Sequence, residues 1–473
     1  FISRSQREVG HDNIDKMKRV KSFQWTHMHW GIVAAVGLVI LTSCIFALRY
    51  QAALSMPNFY AEDGTVFLAN IIDRNIIGAT FTAFNGYLVV GQYMVMDAAY
   101  ATYSILDLPF TKLPLLIAIC SCLFLGMTAS LPFILFRREM GWVVAAVTSI
   151  LLAFTPMPGS DYAIIGTIGN LKFAFLFWAT LLIIYRNIHY KNTVKTIIVD
   201  CLLLLCVLTN GPVVVLLPFI LWPYRKDIIG LVKNKRFERS FFKRIDVISA
   251  FVLAFISALY LAVVYVKGIP VLQDYLNGPY NMAATDNIIY RVTVYSWLYP
   301  LSQFHEFIMS LPRSVIGLTA VGLLALLLGW VYFINKRGKW VFSFGLFAIA
   351  VSTLAFVATR PGIGDYMLEY IKFPDQFFYT QSLIFVFITM WVIAPYIKSR
   401  GRQIALVVAA VIFICISARS GSSWGENAAV YQQRGNIYDN TYNACHNGKE
   451  QVTIPVYPTE IWNITVDRDL ACK

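Results

Sequence analysis

Two adjacent carboxylates, Glu62 and Asp63, stand in the run Asn58-Phe59-Tyr60-Ala61-Glu62-Asp63-Gly64, just beyond the first apolar stretch long enough to cross a bilayer. Carboxylates are costly in lipid, about 2.5 to 3.5 kcal/mol each at a helix centre. A pair kept at the edge of a membrane therefore points to chemistry. At a separation of about 6 Å and an effective dielectric of 20, two ionised carboxylates repel by about 3 kcal/mol. That is enough to raise one of them by about two pKa units, toward the range of a general base at neutral pH. Such a base contributes roughly 10²- to 10⁴-fold to a rate. The plain alternative is a helix first turn, where the dipole favours negative charge.

The elements that must position this pair are apolar. The chain has 473 residues, of which 58% are hydrophobic, 15% aromatic and only 14% charged, with a mean hydropathy of +0.61. Runs of spanning length recur along the sequence. They predict an all-α polytopic membrane protein with about eleven spans, at 30–48, 113–136, 142–158, 170–185, 195–209, 211–223, 245–266, 312–334, 340–359, 378–396 and 403–419.

The net charge of +13 does not mark a nucleic-acid binder, because its basic residues gather in alternate short loops between apolar runs. The richest holds Arg225, Lys226, Lys233, Lys235, Arg236, Arg239, Lys243 and Arg244. Lys and Arg bias marks the cytoplasmic side. The reading places residues 1–29 inside, a transmembrane domain over 30–419, and a polar tail, 420–473, outside. The substantial outer loops are then 49–112, 267–311 and 360–377. Within the first of these, 65–78 and 87–106 read as helices lying along the membrane surface. The spans at 195–209 and 211–223 form a tight hairpin through Thr209-Asn210-Gly211-Pro212, and Gln451 to Tyr457 reads as a strand.

Cys44, Cys120, Cys122, Cys201, Cys206 and Cys415 fall in apolar runs and read as small buried hydrophobes. Cys445 and Cys472 stand in the polar tail and are the disulfide candidate if that tail is outside the cytosol. His27, His29 and His189 fall on the cytoplasmic side, and no His/Cys cluster has metal-ligand spacing. No cleavable signal is expected, because the first apolar run is too long and lacks a small-residue cleavage site.

An acidic pair in a long outer loop after the first span resembles the GT-C superfamily of polyprenyl-phosphate-sugar-dependent membrane glycosyltransferases. The Ala61-Glu62-Asp63-Gly64 element, followed by Asn85-Gly86-Tyr87-Leu88, resembles the serotype-converting O-antigen glucosyltransferases of bacteria. The resemblance covers the first 110 residues in motif and the remainder in topology alone. It implies an inverting transfer of one sugar, glucose by the resemblance, from undecaprenyl phosphate onto O-antigen or another surface glycan. The enzyme would sit in the inner membrane with its site facing the periplasm. Glu62, first of the pair, would be the base, with Asp63 orienting it or touching the acceptor. Some relatives use a divalent cation and others do not; neither a cofactor nor a metal is expected here.

The chemistry agrees with that implication. A sugar on a polyprenyl phosphate already has a good leaving group, so one carboxylate suffices where a glycosidase requires two. The leaving phosphate needs cations at the outer face, for which Arg291, Arg360, Lys372 and His305 are candidates, with Arg74 and Lys267 behind them. Tyr60, Tyr87, Trp297 and Tyr299 are candidates for sugar or acceptor contact. The stretch Asp375-Gln376-Phe377-Phe378-Tyr379 resembles an Arg-Tyr-Phe element of relatives but carries Gln376 where Arg is common. The alternatives are a transporter or flippase of lipid-linked sugar, which would bind at the bilayer midplane through broken helices and buried ions, and an O-antigen polymerase or ligase. A membrane O-acetyltransferase would want a His near an inner-face acyl donor, for which His189 is poor support.

Overall fold

The computed structural model describes residues 29–84, 87–155, 161–234, 244–266, 292–293, 296–298, 310–333, 338–358, 378–420, 437–446, 450–456 and 462–472. It is an all-α membrane protein, with one small hairpin of strands among the described residues. The first helix, α1 (His29–Arg49), is followed by a π-turn (Asp63–Leu68) that runs into α2 (Ala69–Thr80). Next come α3 (Val90–Ile105), α4 (Leu113–Phe136), α5 (Trp142–Ala153), α6 (Lys172–Ile188) and α7 (Thr193–Val207). A 3₁₀ segment (Gly211–Tyr224) precedes α8 (Ile245–Val266), α9 (Arg313–Phe333), α10 (Lys339–Ala358), α11 (Tyr379–Ile393) and α12 (Arg400–Ser420). The tail supplies α13 (Ile437–His446), β1 (Gln451–Pro455) and β2 (Asn463–Asp467).

Among the described residues, helix or 3₁₀ structure lies within each stretch predicted from the apolar runs. Five helical stretches among the described residues are long and apolar enough to cross a membrane: His29–Arg49, Phe110–Phe136, Ile245–Val263, Tyr379–Tyr396 and Arg400–Ser417. The 211–223 run departs from the α-helix because Pro212, Pro218 and Pro223 withdraw backbone donors. The 14 residues Gly211–Tyr224 wind as 3₁₀ helix instead. At about 2.0 Å per residue that reaches about 28 Å, where an α-helix of the same length reaches about 21 Å.

Small residues let the helices approach. A Cβ on Gly126 of α4 would lie 2.0 Å from Ser43 Oγ of α1, so only glycine allows this crossing. Beside it Thr42 Oγ1 donates to the Gly126 carbonyl at 2.9 Å and meets Ser130 Oγ at 3.0 Å, the small-residue and hydroxyl packing expected between helices in lipid. Aromatic rings fill the centre: Phe124 stacks on Trp178 at 5.5 Å, and Phe136 meets Trp391 edge-on at 5.2 Å.

The perimeter is apolar and exposed, with Val36 and Ile40 on α1, Phe255 and Leu259 on α8, Leu326 on α9, and Val408 and Ile412 on α12. Patches of this extent need lipid or protein to cover them. Of the six membrane-run cysteines, Cys122 and Cys206 are buried and Cys120 half-buried, while Cys44, Cys201 and Cys415 face outward, contrary to the sequence reading. Outer and inner faces of a span are equally apolar in lipid, so hydrophobicity does not tell them apart.

The bundle also holds a buried ion pair. Arg186 Nε lies 2.6 Å from Asp200 Oδ1, and Arg186 also donates to the carbonyls of Ile220 and Asp246. Ser249 Oγ donates to Asp200 at 2.6 Å. The group ties α6, α7, the 3₁₀ segment and α8 together, at the same end as the Glu139–His189 contact of 3.3 Å. Every partner is hydrogen-bonded, which is the condition for a buried pair to be tolerated.

In the tail, β1 and β2 pair antiparallel, with Ile454 opposite Ile464 and Thr453 opposite Thr465. The sequence reading anticipated only the first strand. Val452, Ile454, Ile464 and Val466 turn inward, and a Cys445–Cys472 disulfide joins the end of α13 to the end of the chain.

Candidate active site

The acidic pair opens the π-turn. Ala61, immediately before it, has φ of 33°, a left-handed conformation that disfavours a side chain. Strained backbone and π-turns both concentrate at functional sites. Glu62 stands at the N-cap position and Asp63 in the first turn, as the plain alternative has it, but Glu62 makes no side-chain capping hydrogen bond to the turn. Asp63 reaches across to the loop between α5 and α6 instead. Its Oδ1 accepts the Gly169 amide at 2.9 Å and the Ile168 amide at 3.1 Å, and Oδ2 also lies 3.1 Å from the Ile168 amide.

Asp63 is only 1% exposed. Burial pushes its pKa up to about 8, the two amides pull it down by less, and the neighbouring Glu62 charge adds to the rise. Oδ1 lies within reach of both amides, and the Ile168 amide is shared equally with Oδ2. Glu62 is half-buried and is the carboxylate of the pair that solvent reaches. Gly169 sits against both: a Cβ there would be 3.5 Å from Glu62 Oε2 and 3.6 Å from Asp63 Oδ1.

The clasping loop is itself pinned from several sides. Gly166 has φ of +81°, and a Cβ there would lie 2.6 Å from Ala53 Cβ, so this turn requires glycine. Ser121 Oγ of α4 donates to the Thr167 carbonyl at 2.8 Å, and Asn170 Nδ2 to the Ala163 carbonyl at 2.8 Å. Buried Gln92 of α3 donates from Nε2 to the Gly169 carbonyl at 2.6 Å. Asn210 Nδ2 donates to the Lys172 carbonyl at 2.9 Å, and Thr380 of α11 donates to the Phe173 carbonyl. Thr209 Oγ1 accepts the Gly91 amide at 2.8 Å. The site thus draws on the π-turn, α3, α4, α6 and α11.

The tail docks on the same place. A Cβ on Gly64 would be 3.0 Å from Val456 Cγ2 and 3.2 Å from Phe59 Cβ, so the end of β1 rests against the acidic motif. β2 packs on the π-turn and α2. Lys112 Nζ donates to Tyr438 Oη at 2.7 Å, fixing the base of α13 next to the start of α4.

Of the predicted contact residues, Tyr60 is half-buried and its carbonyl accepts the Asp63 amide at 2.7 Å. Tyr87 is half-buried and pairs its backbone with Phe84. Trp297 meets Phe413 of α12 edge-on at 6.3 Å, and its ring contact is with that helix rather than the acidic segment. Arg74 donates to Thr82 Oγ1 at 3.3 Å on an exposed stretch of α2. Arg291, Arg360, Lys372, His305, Tyr299, Lys267, Asn85, Gly86 and Gln376 lie outside the described residues. Among the described residues no three His, Cys, Asp or Glu side chains group as a metal site.

The sequence reading missed Gln92, Lys172 and the whole loop 166–170. Ile168 and Gly169 act through backbone amides, which leave no side-chain signature. The available signal was the Gly166-Thr167-Ile168-Gly169-Asn170 run, small and polar between two apolar stretches. No family model matches the chain, and no curated protein matches it at a significant level.

Proposed function

We propose that the protein is an inverting glycosyltransferase that moves a sugar, glucose by the resemblance, from undecaprenyl phosphate onto O-antigen or another surface glycan. The observation that carries this reading is the division of labour in the acidic pair. Asp63 is buried and clasped by two backbone amides, while Glu62 stays open to solvent beside it. Glu62 is then the base and Asp63 its positioning residue.

In the reaction Glu62 takes the proton from the acceptor hydroxyl as that oxygen bonds to the anomeric carbon. The bond from that carbon to the phosphate oxygen breaks, and its electron pair leaves on the polyprenyl phosphate. One displacement inverts the anomeric centre. The leaving phosphate needs no protonation, so a single working carboxylate is enough. Asp63 with a pKa of about 8 holds its proton at neutral pH and adds no second charge to repel the first.

The orientation belongs to the same proposal: eleven spans, N terminus in the cytoplasm, tail and site in the periplasm, in a bacterial inner membrane. Contact between alternate loops supports it. Segments that the charge pattern puts outside, at Glu62-Asp63, 166–170, Thr209-Asn210 and the tail, meet at one end of the bundle. Glu139 and His189, from segments put inside, meet elsewhere, beside the Arg186–Asp200 pair. The Cys445–Cys472 disulfide agrees with an oxidising compartment.

The test is sugar transfer in proteoliposomes, offering polyprenyl-phosphate glucose or a nucleotide-activated glucose with O-antigen polysaccharide as acceptor. Transfer from the lipid-linked donor alone is expected. Transfer from the nucleotide donor, or movement of intact lipid-linked sugar between leaflets without transfer, would overturn the proposal.

A further inference from the structure

The ammonium of Lys172, at the first residue of α6, sits in an aromatic cradle. Its Nζ lies 5.7 Å from the Phe84 ring centroid and 5.6 Å from that of Phe173. Tyr87 Oη is 3.4 Å away, at the long limit for a hydrogen bond. An ammonium carries three donors, and among the described residues no carboxylate lies within ion-pair distance of this one. The side chain is nevertheless half-buried. Ring faces hold a cation in place but do not neutralise it, which leaves the site suited to an anion from outside the chain.

Its position relative to the acidic pair is fixed by the chain. Gly169 gives its amide to Asp63, and Lys172 follows three residues later in the same pinned segment. The carbonyls of Lys172 and Phe173 are held by Asn210 and Thr380. Phe84, under the ammonium, packs at 6.0 Å against Phe67 of the π-turn that begins with Asp63. One short run of backbone therefore carries the clasp for the acids at one end and an unneutralised cation at the other.

We propose that Lys172, with the Tyr87 hydroxyl beside it, binds the phosphate of the lipid-linked donor, a diester that becomes the polyprenyl phosphate monoester as the sugar leaves. This rests on the glycosyltransferase reading and deepens it. In a single displacement the acceptor approaches from the side opposite the leaving group, so a base and a phosphate-binding cation must flank the anomeric carbon. Glu62 and Lys172 supply those two functions. As the sugar–phosphate bond breaks, charge grows on the phosphate oxygen, and an ammonium in a partly desolvated aromatic cradle stabilises it more than one in water would.

The experiment is binding of a short-chain polyprenyl phosphate to the intact protein in detergent, followed by tryptophan fluorescence. Wild type and Glu62→Gln are expected to bind alike. Lys172→Gln is expected to bind at least tenfold more weakly, and Lys172→Arg within about threefold of wild type because the charge is kept. Mass-spectrometric footprinting of the wild type with an amine-acylating reagent gives a second readout that needs no folded variant: polyprenyl phosphate is expected to protect Lys172. Wild-type binding undiminished in Lys172→Gln, or no protection of Lys172 when the lipid is bound, would overturn the assignment of Lys172 and leave the transferase reading standing. Failure of the wild type to bind polyprenyl phosphate at all would overturn both.

Discussion

Replacing Asp63 with alanine removes the acceptor shared by two buried amides. Ile168 and Gly169 donate to Asp63 at 3.1 and 2.9 Å, and both residues are buried, so water does not replace the lost oxygen. A stranded buried donor costs about 1 to 3 kcal/mol, so Asp63→Ala is expected to lose about 2 to 6 kcal/mol for the pair. Asparagine keeps an oxygen where Oδ1 stands, within hydrogen-bond reach of both amides, and gives up only the second contact of Ile168 with Oδ2. Asp63→Asn is therefore expected to stay near wild type.

The pH dependence has a definite sign. The folded pKa of about 8 lies above the ordinary 3.8, so the stabilisation is fully present below pH 3.8 and is lost as pH rises toward 8. Asp63→Asn, which has no proton to lose, would not share that decline. The assay is thermal unfolding in detergent from pH 5 to 9, followed by tryptophan fluorescence. Alanine and asparagine variants of equal stability, or a wild type that gains stability relative to Asp63→Asn as pH rises, would refute the reasoning.

Three further outcomes follow from the same geometry. Gly166→Ala puts a methyl 2.6 Å from Ala53 Cβ at a φ of +81°, and is expected to cost about 1 to 3 kcal/mol and to reduce transfer by moving the amides that hold Asp63; unchanged activity would count against the loop's role. Cys445→Ser opens a disulfide spanning 27 residues, worth about 3 to 4 kcal/mol on the chain-entropy account, and is expected to make the tail susceptible to limited proteolysis while the membrane helices stay folded. Arg186→Gln strands Asp200 in the bundle and is expected to cost about 3 to 5 kcal/mol, read as a lowered unfolding temperature with polyprenyl-phosphate binding by the remaining folded protein unchanged.

The helices were legible because each apolar run is bounded by charge or turn residues, and the loop alternation of Lys and Arg marks their ends. The 211–223 run was legible as an apolar element of a tight hairpin, but its three prolines were not read as the reason it would wind as 3₁₀ rather than α-helix. The acidic pair was legible because Glu62-Asp63 is chemically conspicuous in an apolar chain. Its division of labour was not, since burial of Asp63 depends on Ile168 and Gly169, more than a hundred residues away and contributing backbone alone. Lys172 escaped notice as a lone charge at the start of an apolar run, where it reads as a boundary marker. Asp200 lay inside a predicted span, and its partner Arg186 just past the end of another; only the packing of α6 on α7 joins them.

In the proposed mechanism Glu62 is the general base and Asp63 the residue that positions it. The most direct measurement is the single-turnover rate of sugar transfer from polyprenyl-phosphate glucose by wild type, Glu62→Gln and Asp63→Asn, with donor binding measured on the same preparations. Loss of the base is expected to slow Glu62→Gln by roughly 10²- to 10⁴-fold with donor binding intact, while Asp63→Asn keeps a much larger share of the rate. A Glu62→Gln protein that transfers sugar at the wild-type rate would contradict the account.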